Sequence, residues 1–83
     1  MRPTISFQSI EVLTASEDRE GRLVLVDGRL AAVLVRLSDP AHEPLLRGAW
    51  YLEVGFGLLD GRHGLFASLE EAVASIERDM DLS

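Results

Sequence analysis

The run "RLVLVDGRLAAVLVRL", Arg22–Leu37, decides the fold. Asp27–Gly28 stands between two stretches of aliphatic residues that include the β-branched Val24, Val26, Val33 and Val35. That pair favours a two-residue hairpin loop, because both central positions take positive φ, which glycine and aspartate accept most readily. In the simplest register Leu25 faces Leu30 and Leu23 faces Ala32. Val24 and Val26 then point the other way, together with Ala31, Val33 and Val35. Both faces are apolar, whereas an antiparallel sheet ordinarily gives one face to water.

Upstream, "TISFQSIEVL" alternates as Ile5 and Phe7, then changes phase to Ile10 and Val12. This predicts a strand with a bulge near Gln8–Ser9, since one inserted residue flips the inward set. The polar segment "TASEDREG" reads as a connection, with Glu17, Asp18 and Glu20 as solvated surface. Downstream, residues 38–48 carry two prolines and form a loop longer than a hairpin needs, the kind of segment that often carries function. Trp50, Leu52, Val54 and Phe56 then alternate against Tyr51, Glu53 and Gly55, giving a strand with one large apolar face.

The glycine-rich "GFGLLDGRHG", residues 55–64, has two readings. A phosphate-binding loop runs directly from strand to helix N-terminus, and here Asp60–Gly61 is followed by an intervening short return strand. Glu70 and Glu71 in the first helical turn would also repel an anion. The segment is read as a second Asp-Gly hairpin turn like the first. Ser68 followed by Glu71 is a capping box, and Leu69, Ala72, Val73, Ile76 and Met80 fall on one helical stripe.

The predicted class is α+β in one domain, residues 1–83. It is an antiparallel β-meander of four to five strands at about 4–13, 22–27, 29–37, 49–57 and a short 63–66, followed by an amphipathic helix at about 68–80 packed on one sheet face. The helix start Ser68-Leu69-Glu70-Glu71-Ala72, behind a strand containing Trp50 and Glu53, resembles in outline the HicB-like antitoxin domains. The resemblance is confined to that region, and the proline-glycine turn expected before such a helix is absent.

Composition narrows the function. The chain has no cysteine, which excludes thiolate chemistry and cysteine-based metal sites and fits a reducing compartment. All eight basic residues are arginine, which excludes lysine Schiff bases and points to a GC-rich bacterial genome. The net charge of −6 argues against nucleic-acid and anionic-membrane binding, where affinity comes from excess cations. With no signal peptide and no run of membrane-spanning length, the expected location is the cytoplasm.

No catalytic constellation, metal-ligand spacing or cofactor motif is expected. His42 and His63 lack the spacing of a helical ligand pair, and no serine sits in a nucleophile elbow. The expected function is that of a small protein–protein interaction module acting by binding, homodimeric or with another protein. Its candidate interface is Val24, Val26, Ala31, Val33, Val35 and Tyr51, opposite a helix-covered side of Leu23, Leu25, Leu30, Leu34, Trp50, Leu52 and Phe56. The alternative for that face is cover by the N-terminal segment through Ile5, Phe7 and Ile10. Two other functions stay open: a small-molecule or minor enzymatic site on the 38–48 loop using His42, Glu43 and Arg47, and an acidic inhibitor that mimics nucleic acid.

Overall fold

Asp27 and Gly28 both take positive φ, 51° and 79°, and the chain reverses on them. The computed structural model describes residues 3–14, 18–39 and 41–80. Five strands, β1 (Ile5–Glu11), β2 (Glu20–Val26), β3 (Arg29–Arg36), β4 (Trp50–Gly55) and β5 (Leu65–Phe66), form one antiparallel sheet in sequential order. The helix α1 (Leu69–Asp79) closes the described chain and packs against β5 and the turn before it. The fold is the α+β meander that the hydrophobic pattern predicts.

The register departs from expectation in three places. β1 pairs with β2 without interruption from Ile5↔Val26 to Glu11↔Glu20, so the bulge expected at Gln8–Ser9 is absent. The irregularities lie in strands read as regular. Leu25 faces Leu30 as expected, but Val24 faces Ala32 and Leu23 faces Val33, which makes Ala31 an inserted residue. Likewise Val33 faces Val54 while Leu34 faces Leu52, so Glu53 is inserted in β4.

Each insertion inverts the side-chain phase beyond it. The helix side therefore keeps Leu34, Trp50 and Leu52 as expected, but Val24 and Val26 take the place of Leu23, Leu25 and Leu30 on it. Val24, Ala31, Ala32, Leu34, Trp50 and Leu52 form the core with Ala72 and Ile76, and Val26 packs against it. Val54 and Phe56, expected inward with Trp50 and Leu52, are exposed. Leu59 is buried in the same core. It comes from a single 3-10 turn, Gly57–Leu59, whose backbone lies so close to Gly55 that any Cβ there would collide with the Leu59 carbonyl.

The second Asp-Gly pair also differs from the first. Asp60 has φ −58° and ψ 130°, Gly61 has φ +76°, and the Arg62 N–H donates to the Leu59 carbonyl. That is a type II turn, which needs positive φ only at its second central residue. It lies after a 3-10 turn inside the longer connection between the paired strands β4 and β5, not directly between paired residues, so the strand twist that selects the first turn's geometry does not act on it. The helix begins as predicted: Ser68 Oγ accepts from the Glu71 N–H, and Glu71 Oε2 accepts from the Ala67 N–H. None of the described helices is long and apolar enough to cross a membrane.

Candidate functional site

On the sheet face away from the helix, the pairing aligns Gln8 with Leu23, Ser6 with Leu25, Leu25 with Leu30, Leu23 with Val33, Val33 with Val54 and Tyr51 with Leu65. The result is an apolar surface over which the described residues place no second layer. Leu30, Val54 and Leu65 are 39%, 41% and 47% exposed, and Leu23, Leu25, Val33 and Tyr51 are half-buried. At the hairpin end it meets an open groove of about 680 Å³, lined by Leu30, Phe56, Leu58 and Met80 among others.

The six residues expected at an interface thus divide. Val33 and Tyr51 lie on this open face. Val24 and Ala31 are buried in the core and Val26 packs on it, because the Ala31 insertion turns β2 and the start of β3 over relative to the simple register. Val35 belongs to the open face by register but is buried where Val12, Asp18 and Leu37 gather around it. The N-terminal segment does not cross the face. It is the edge strand β1, and Ile5 packs against the core on the helix side.

Cover at the Val35 end comes instead from the β1–β2 connection. Val12 sits over Gly21, where a Cβ would lie 2.5 Å from its methyl group. Asp18, read from sequence as solvated, is buried and anchors this connection to the 38–48 loop. Its Oδ1 accepts from the N–H groups of Ser38 and Asp39 at 2.6 and 2.7 Å, and its Oδ2 from His42 Nε2 at 2.7 Å. The Thr14 hydroxyl donates to the Asp18 carbonyl at 2.7 Å. Burial pushes the Asp18 carboxyl up, but the His42 hydrogen bond, the two backbone donors and the His42 charge together hold it at about 2.

Of the loop residues singled out, His42 is therefore engaged with Asp18. Glu43 opens a 3-10 turn, Pro44–Leu46, its carbonyl accepting from Leu46, and Arg47 follows that turn with its side chain exposed. His63 stacks on Tyr51, with ring centroids 5.9 Å apart and planes 11° apart. Among the described residues no three His, Asp or Glu side chains gather as a metal site.

On the helix side, Arg22 lies 5.2 Å over the Trp50 ring and shares Glu20 with Arg36. The Arg36 hydrogen bond, with the Arg22 charge, holds Glu20 below the usual glutamate range against a smaller upward effect of burial. Arg22 thereby screens the indole edge of the core from water.

Comparison with family models, curated proteins and solved structures gave no match, so no relative supports the outline resemblance to HicB-like antitoxin domains.

Proposed function

We propose that this chain is a bacterial, cytoplasmic protein–protein interaction module that acts by binding, through the sheet face its helix leaves open. One observation carries the reading: Leu23, Leu25, Leu30, Val33 and Val54 form a contiguous apolar surface over which the described residues place no second layer. Contiguous apolar patches on a small domain mark interaction surfaces more often than isolated exposed side chains do. The groove beside Leu30 extends the surface around the hairpin end. With a net charge of −6 on the chain, the complementary partner presents an apolar centre with a basic rim.

The test uses Leu30→Glu and Val54→Glu, both at exposed positions. Affinity capture from the native cell with wild-type and variant baits is followed by reconstitution of the captured protein with purified chain. A purified partner that binds the wild type and is lost with both folded variants carries the reading. A partner indifferent to both substitutions, or no stoichiometric partner, overturns it.

A further inference from the structure

β1 is an edge strand on which the usual protections are missing. Its neighbour on one side is β2, and the described residues place no strand on the other. Natural edges are blunted by lysine, proline, inward charges, bulges or brevity. From Ile5 to Ile10 β1 has no charge, no proline and no bulge, and it runs for seven residues. Phe7 and Ile10 stand 40% and 44% exposed on its two faces.

The hydrogen-bond phase identifies which backbone groups are open. Asp27 N–H donates to the Thr4 carbonyl and Val12 N–H to the Arg19 carbonyl, both in the β1–β2 register. In an antiparallel ladder such bonded pairs alternate with non-bonded ones. Thr4, Ser6, Gln8, Ile10 and Val12 therefore point their N–H and C=O at β2. Ile5, Phe7, Ser9 and Glu11 point theirs away from the sheet.

We propose that two copies of this chain join antiparallel through β1 about a two-fold axis at Gln8, making one continuous sheet across the pair. In that register Phe7 lies opposite Ser9 of the second copy and Ile5 opposite Glu11, so every outward N–H and C=O of the strand is matched. A shift by one pair leaves an end residue unmatched. Gln8 meets Gln8 across the axis, where the two amides can bond each other. The two Glu11 carboxylates sit at opposite ends, about 20 Å apart along the strands, whereas a parallel pairing would set them side by side.

The opposite edge does not compete. β5 has two residues and lies against the helix, so it gives a second β1 little to pair with. The assembly is therefore a closed dimer and not an open chain. It leaves the open apolar face untouched and places two copies of it on one surface.

Light scattering on a sizing column should show the wild type at twice the chain mass of 9.1 kDa. Ser9→Pro removes an outward N–H that no strand of its own chain uses and that the second copy needs, a place where edge strands accept proline. It should give a folded monomer, while Leu30→Glu stays dimeric. In mixed isotope-labelled samples, a contact between the α-protons of Ser6 and Ile10 across the pair should appear, which reports the register without any substitution. A wild type monomeric at all concentrations, or a dimer that survives Ser9→Pro and dissolves with Leu30→Glu, overturns the proposal. The first of these results leaves partner binding at the open face standing, and loss of that binding with a dimer intact separates the two ideas in the other direction.

Discussion

Asp18 and His42 are 24 residues apart in the chain and 2.7 Å apart in space, Oδ2 to Nε2. The pair joins the two connections at the end of the sheet remote from the hairpin turn. Asp18 accepts on both oxygens, and the bonds it makes require its ionised form. Because its folded pKa, about 2, lies below the ordinary 3.8, it stabilises the fold fully above about pH 3.8. That stabilisation is lost as pH falls toward 2.

The size follows from the shift: about 2 kcal/mol at neutral pH. Asp18→Asn should lower stability by roughly that amount at pH 7, and the difference from wild type should shrink between pH 4 and pH 2. Urea denaturation across that range measures it. A difference that stays constant with pH would show that the charge is not what holds the loops. His42→Ala should move the acid transition of the wild-type carboxylate upward.

Ser68 Oγ accepts from the Glu71 N–H at 3.2 Å, and the Glu71 carboxylate reaches back to the Ala67 N–H at 3.1 Å, so both side chains cap the helix start. Ser68→Ala should cost about 1 kcal/mol, and Ser68→Asp should be close to neutral because its carboxylate can accept from the same N–H. Equal losses from the two substitutions would count against a capping role.

Gly61 and Gly55 should respond differently to alanine. At Gly61 the surroundings are open, and only the positive φ of 76° opposes a side chain, so the cost is about 1 kcal/mol. At Gly55 a Cβ would meet the Leu59 backbone, which cannot move without withdrawing Leu59 from the core. Thermal and chemical unfolding should rank Gly55→Ala well below Gly61→Ala. The reverse ranking would mean that Leu59 does not fill the core as described.

Val24 and Val54 test the two insertions. Valine and threonine have the same shape and a similar preference for strands, so Val→Thr isolates burial. Val24→Thr puts a hydroxyl among Ala32, Leu34 and Ile76 and should cost about 1–3 kcal/mol. Val54→Thr should stay within about 0.5 kcal/mol. Equal costs would contradict the facing assigned here.

The elements were legible from local chemistry. The Asp27–Gly28 loop needs nothing beyond its own two residues and the strands beside it, and Asp27 additionally ties down Thr4 through its carboxylate. The helix start depends on Ser68 and Glu71 alone. Leu59 was not legible, because nothing in "GLLDG" separates a core plug from a loop leucine such as the exposed Leu58. Asp18 was hidden in an acidic run whose other members give no hint that one of them is buried.

Element order, turn position and helix polarity were thus determined by the sequence itself, since propensity, capping and turn geometry act over a few residues. Which face of the sheet is core was decided only by the tertiary structure. Side chains alternate with a period of two, so one inserted residue reverses everything beyond it. The β1 sequence changes phase yet runs straight, leaving Ile10 exposed on the open face. β3 and β4 take their insertions at Ala31, which lies in the core with the helix residues Ala72 and Ile76, and at Glu53, two residues before the Gly55 on which Leu59 seats. Those contacts exist only once distant segments meet, and the insertions reverse the facing that strict alternation predicts for Val24, Val26, Val54 and Phe56.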